Sequence, residues 1–163
     1  MKVIVNATPL IALSKINQLE ILNQLFDKVI VPRSVYHEVI VKGANKVGSN
    51  NLLKANWIEI QEVPSTTSIE PLLLGLDQGE LDVIQLAILI NPDWVIIDEK
   101  LGRRIATVMG LSVKGTLGIL LSGFYAGYFS KQEILDLCQK LVDNGIRLSP
   151  RVIDSIKTEL DNH

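Results

Sequence analysis

The chain is poor in residues that build soft or redox-active centres. It has one cysteine, Cys138, in 163 residues. No internal disulfide can form, and no cysteine cluster can hold zinc. Its two histidines, His37 and His163, are too few for a histidine-based metal centre. It also lacks an excess of positive charge: 16 Lys and Arg face 18 Asp and Glu, a net charge of −2. Domains that bind duplexes through their overall charge are basic, so any nucleic-acid contact must come from a local patch. No apolar run approaches the ~18 residues of a membrane span. The apolar start, Met1 to Val5, is too short for a signal peptide. A cytoplasmic location is therefore the default expectation, with no membrane partner. Repeats and low-complexity segments are missing as well.

What is present points to a folded domain. Hydrophobic residues make up 47% of the chain and charged residues 21%, which excludes a disordered chain. The length fits one domain, residues 1–163, able to bury a real core. Its motif-bearing part is 2–126, followed by C-terminal helices over 127–163.

Short β-rich runs alternate with helical patterns. Strands are expected at Lys2–Val5, Lys28–Val31, Trp57–Gln61, Trp94–Ile97 and Leu111–Val113. Thr8 is expected to cap the first helix, with Pro9 at its first helical position. Further helices are expected near Leu19–Leu25, at Arg33–Lys42, around Leu52–Leu53, and at Gln78–Ile90, Leu101–Met109, Thr116–Ala126, Lys131–Val142 and Pro150–Leu160. Val63 to Glu70 reads as a loop. Strands separated by helices require crossover connections and a mostly parallel sheet. Trp94 to Ile97 is apolar on both faces, as a central parallel strand should be. The expected fold is α/β: a three-layer α/β/α sandwich with about five strands.

In such folds, sites lie past the C-terminal ends of the strands, near the switch in strand order. The first strand ends in Asn6 and the fourth in Asp98-Glu99. Glu80 opens the helix that feeds the fourth strand, and Glu38 lies midway along the helix after the second. Asn6, Glu38, Glu80 and Asp98 are the residues such a fold would gather in one pocket. Oxygen ligands without His or Cys suit Mg²⁺ or Mn²⁺, which activate water and steady charge at a phosphodiester.

Each residue has a plainer reading. Asp98 is placed to cap the following helix, and Asp77-Gln78-Gly79-Glu80 has capping-box spacing. Glu38 fits a solvated helix face, and Asn6 is a common turn residue. Arg103 and Arg104 can pair with phosphates or balance the acids. Lys114 follows the fifth strand. Thr116, in Gly115-Thr116-Leu117-Gly118, opens a helix whose N-terminus suits an anion. The aromatic residues Trp57, Trp94, Phe124, Tyr125, Tyr128 and Phe129 read as core or interface, and Cys138 as an inert core thiol.

The sequence resembles the PIN domain, and most closely its compact bacterial and archaeal branch of PIN-like nucleic-acid-binding proteins. The carrying residues are Val3 to Leu13, Val31 to Val39, Gly75 to Glu80 with Leu86-Ala87, Ile97 to Ala106, and Gly110 to Gly118. The resemblance implies a Mg²⁺- or Mn²⁺-dependent ribonuclease fold, in many members the toxin of a toxin–antitoxin pair. It maps the family's acidic set onto Asn6, Glu38, Glu80 and Asp98, and its small hydroxyl residue onto Thr8. It implies RNA as substrate, a homodimer, and a small antitoxin whose tail enters the acidic groove. The departure is Asn6, where the family has Asp. An amide oxygen can ligate a metal, but the site loses one negative charge.

Two functions follow: a PIN-type endoribonuclease, or a non-catalytic PIN-like module that binds nucleic acid or protein. A phosphatase of the haloacid dehalogenase type needs an Asp nucleophile where Asn6 stands. A dinucleotide-binding enzyme needs a glycine-rich turn after the first strand, and there is none.

Overall fold

The computed structural model describes residues 1–42, 47–65 and 68–163. Five strands form one sheet: β1 (Lys2–Val5), β2 (Lys28–Pro32), β3 (Ile58–Gln61), β4 (Trp94–Ile96) and β5 (Val113–Lys114). Their spatial order is β3-β2-β1-β4-β5, and every neighbouring pair is parallel. The sheet is thus wholly parallel. The chain moves outward from β1 to β2 and β3, then returns to the other side of β1. Right-handed crossovers running in opposite directions place their helices on opposite faces, which gives the three-layer α/β sandwich.

The helices are α1 (Ala7–Lys15), α2 (Ile21–Leu25), α3 (Arg33–Lys42), α4 (Val47–Lys54), α5 (Gln78–Ile90), α6 (Lys100–Val108), α7 (Thr116–Tyr125), α8 (Lys131–Asp143) and α9 (Pro150–Asp161). The expected strands and helices appear with shifts of a residue or two at their ends. Residues 66 and 67 of the expected loop lie outside the described residues. The loop is followed directly by a short 3-10 helix, Pro71–Gly75.

The first helix begins one step earlier than its sequence suggests. Asn6, not Thr8, occupies the cap position, and Pro9 is the third helical residue. A proline is tolerated there because first-turn N–H groups have no intrahelical partner. The consequence reaches beyond the helix. Thr8 is released from capping and its hydroxyl is left to bond elsewhere.

The central strands are apolar on both faces because helices cover both. Val3, Ile4, Val5, Val95, Ile96 and Ile97 are all buried. Burial of this kind contributes about 25 cal/mol per Å² of apolar surface and fixes the register of β1 against β4. Val3, Ile4 and Val5 pair with Trp94, Val95 and Ile96. The two strands therefore end level with each other, at the switch in strand order. Gly110 follows α6 with φ +84°, the left-handed turn that glycine makes without strain.

Candidate active site at the switch in strand order

Asn6 is the first residue past β1. Its backbone N–H donates to Ile96 O at 3.0 Å, so it is tied to the end of β4. Its side chain is buried, and Nδ2 donates to Glu99 Oε2 at 3.4 Å. The Thr8 hydroxyl also donates to Glu99, at Oε1. Glu99 is the cap residue of α6, and its side chain reaches back across the switch.

Glu80 stands in the first turn of α5 and is buried. Asp77 Oδ1 accepts from Glu80 N at 2.8 Å, and Asp77 N donates to Glu80 Oε2 at 3.4 Å. The capping box is real, and so is the carboxylate's exposure to its neighbours. Burial pushes the Glu80 carboxyl above its ordinary pKa, and the charges of Asp77, Glu99 and Glu38 push the same way. A backbone hydrogen bond from Asp77 opposes them.

Glu38 faces this group from α3. Its Oε1 accepts from Lys42 Nζ at 3.3 Å, one turn along the helix. Its Oε2 lies over Gly79. A Cβ on Gly79 would sit 3.2 Å from that oxygen and 3.6 Å from Asn6 Oδ1. Gly79 is thus a point where α5, α3 and the end of β1 come close together. Gly102 plays a similar part from α6: a Cβ there would lie 3.5 Å from Glu80 Oε1 and 3.1 Å from Ile97 Cγ2.

Asp98 is held by a different element. Its Oδ1 accepts from Thr116 N at 2.7 Å and its Oδ2 from Thr116 Oγ1 at 2.6 Å. Its carboxylate is therefore fastened to the N-terminus of α7, where the helix dipole favours a negative charge. Of the expected set, Asn6 and Glu38 meet over Gly79 and Glu80 stands one residue on, with Glu99 beside them, while Asp98 is bonded to Thr116. An apolar run such as Trp94 to Ile97 does not reveal which of the next two residues turns towards the switch. The adjacent acids in Asp98-Glu99 were the available signal.

The basic and hydroxyl candidates divide in the same way. Thr116 is buried, with both its N–H and its hydroxyl committed to Asp98, so it is a holder of that carboxylate. Lys114 folds away from the acids. Its Nζ donates to Ser122 Oγ at 2.8 Å and lies 4.2 Å from the centre of the Trp94 ring. Burial pushes its pKa down. Arg103 and Arg104 are exposed on α6, and neither makes an ion pair among the described residues. Arg103 passes beside Gly115, where a Cβ would lie 2.6 Å from Nη1 and 2.8 Å from Asp98 Oδ1. Only glycine leaves room for both groups.

Asn6, Glu38, Glu80 and Glu99 offer oxygen donors only, the set preferred by hard divalent cations. Among the described residues, no three acidic, histidine or cysteine side chains stand close enough to form a ready-made metal cage. A family model described as PIN domain matches residues 2–162. The chain belongs to the PIN-domain family. No curated protein and no solved structure matches it significantly. The PIN-domain fold is of the nuclease type, and this one carries its acidic group where β1 and β4 diverge. Among the described residues of this PIN domain, no helix is long and apolar enough to cross a membrane.

Proposed function

We propose that this PIN domain is a metal-dependent endoribonuclease. The single observation that carries the reading is the convergence of oxygen donors at the sheet's C-terminal edge: Asn6 and Thr8 bond Glu99, and Glu38 Oε2 and Asn6 Oδ1 meet over Gly79. Glu80 stands beside them with its pKa raised, first by burial and then by the neighbouring charges. Acids gathered in this way repel one another, and a cation relieves that repulsion. Their oxygen-only chemistry fits Mg²⁺ or Mn²⁺. Asn6 Oδ1, Glu38, Glu80 and Glu99 are the residues that would hold it.

A divalent cation there would supply Lewis acidity towards a phosphodiester and a nucleophile at neutral pH. The chain's own residues do the rest. Thr8 and Asn6 fix the orientation of Glu99 through two hydrogen bonds. Asp77 fixes Glu80 through the capping box. Lys42 draws one oxygen of Glu38 and leaves the other facing Gly79. Arg103 and Arg104, with Lys100 at the start of α6, provide the exposed local cations that an RNA backbone needs in a chain of net negative charge. Asp98 and Thr116 lock α7 against β4 and keep Arg103 on that edge.

The same reading extends to the toxin of a toxin–antitoxin pair. It would act in the cytoplasm as a homodimer, with a small antitoxin blocking the acidic groove. A second reading is favoured by Asn6 itself. Its amide donates to Glu99, which lets the acids coexist without a cation, as suits a module that binds RNA or protein without cleaving it.

Cleavage of a labelled RNA pool with Mn²⁺ or Mg²⁺ separates the two. The protein, Asn6→Asp and Glu99→Gln are compared side by side. Cleavage by the unaltered chain that is lost in Glu99→Gln supports the nuclease with Asn6 as a tolerated ligand. Cleavage by Asn6→Asp alone supports a nuclease scaffold weakened at one ligand. No cleavage by either, with no metal binding, overturns the enzyme and leaves the binding module.

A further inference from the structure

A groove runs beside the acidic group along the seam of α3 and α5. Its outer part is a hollow of about 640 Å³ with apolar walls from Tyr36, Ile40 and Val63. Arg33 and Glu62 stand at this outer hollow and pair with each other at 2.8 Å. Its inner part is a hollow of about 450 Å³ that ends at Glu38 and Gly79. The two parts share Ser34, His37 and Gln78 in their walls, so they adjoin. The groove thus leads from the end of β3 to the residue that lies over Asn6 Oδ1.

Among the polar groups of its outer part, Asp82 is the carboxylate held by two side-chain hydrogen bonds. Its Oδ2 accepts from Ser34 Oγ at 2.5 Å and its Oδ1 from Gln78 Nε2 at 2.8 Å. These bonds fix the carboxylate's orientation without exhausting it, because each oxygen can accept more than once. An oriented carboxylate with acceptor capacity left therefore stands beside the apolar wall of Tyr36, Ile40 and Val63. Hollows of roughly 300–1,000 Å³ with a few placed polar groups are the size and kind that take small planar ligands.

We propose that this groove is a nucleobase subsite that prefers bases with an exocyclic amino group over uracil. The inference rests on the ribonuclease reading, since it seats a base of the RNA whose backbone passes the acidic group. Cytosine, adenine and guanine each present an amino donor to a carboxylate. Uracil presents one N–H between two carbonyl oxygens. Against Asp82 those oxygens meet acceptors only, and an unpaired polar edge in a confined site is costly. Arg33 is placed near a neighbouring phosphate, and His37 lies between the two parts of the groove.

The test uses the full chain, isotope-labelled, titrated with CMP and with UMP while the amide signals of Ser34, His37, Gln78 and Asp82 are followed. CMP is expected to shift these signals and to bind at least ~10-fold tighter than UMP, the effect of one good polar match. Asp82→Asn replaces one acceptor with a donor and is expected to erase or reverse that preference. Gln78→Ala leaves the carboxylate in place and is expected to keep it. The CMP and UMP comparison on the unaltered chain stands even if a variant fails to fold. Equal affinity, shifts confined to other regions, or no shift with either nucleotide would overturn the subsite. RNA cleavage in the same preparation distinguishes the two ideas. Cleavage without groove shifts sinks the subsite alone, and groove shifts without cleavage sink the nuclease alone.

Discussion

At the end of β4, Asp98 turns to α7 and Glu99 turns to α1. The two acids are adjacent in the chain, yet their surroundings are opposite in kind. Asp98 has both oxygens filled by Thr116, at a helix terminus that favours its charge. Glu99 is bonded by Asn6 and Thr8 but shares its neighbourhood with Glu80 and Glu38. One carboxylate is satisfied and contributes to holding the fold together. The other is held in a repulsive group that the fold tolerates. A carboxylate's place in the sequence thus says less about its role than whether its lone pairs are already taken.

The comparison can be broken most forcefully by removing each acid in turn. Glu99→Gln is expected to lower metal-dependent RNA cleavage by at least ~100-fold, as loss of a metal-site group does, with little loss of stability. Asp98→Ala is expected to destabilise the protein by about 2 kcal/mol, because Thr116 loses two charge-assisted bonds at a helix start. That is a fall in Tm of about 4–8 °C for a chain of this size. Thermal unfolding and cleavage assays on both variants check the pair. If Glu99→Gln unfolds the protein and Asp98→Ala does not, the contrast is wrong.

A sharper test restores the missing acid. Asn6→Asp places a carboxylate against Glu99 where an amide now donates. It is expected to lower metal-free stability by about 1 kcal/mol and to tighten Mn²⁺ binding about 10-fold. Calorimetric titration with and without chelator measures both. A variant that is more stable without metal would contradict the assigned contact.

The smallest expected effect is on pH dependence. Glu80 has a folded pKa raised above its unfolded value. In the window between the two values the folded chain holds a proton that the unfolded chain has lost. Stability from this group therefore declines as pH rises through that window. Glu80→Gln, which keeps the capping-box spacing, is expected to flatten that part of the profile. Denaturant unfolding across mildly acidic pH measures it, and an unchanged slope would show that Glu80 is not strained.

Much of the fold was legible because its signals are local. The all-apolar run at Trp94 to Ile97 marked a central strand, and Gln78 to Ile90 carried both its cap and its period. Cys138 is buried, and burial pushes its thiol pKa up, as befits an inert core residue. The site was legible in part. Asn6 is legible as a candidate because strand ends at a switch point are the places to look, and Glu38 and Glu80 because their helices lead to and from neighbouring strands. Glu99 was passed over for Asp98 because the choice depends on how the chain leaves β4. Lys114 follows a strand in the sequence, and in the fold it stacks on the Trp94 ring and bonds Ser122. Both differences arise from long-range contacts that no local pattern carries.

The order of the strands also controls when the site can exist. Asn6 and Thr8 lie within the first ten residues, whereas their partner Glu99 lies 93 and 91 positions further on. The two halves meet only when β4 docks against β1. A chain still emerging from the ribosome has Asn6 and Thr8 exposed long before it has Glu99. Until the returning strand arrives there is no acidic group, and a fragment that stops before β4 lacks the Glu99 half of it. The topology that creates the crevice thus also serves as a timer, coupling any nuclease activity to completion of the fold.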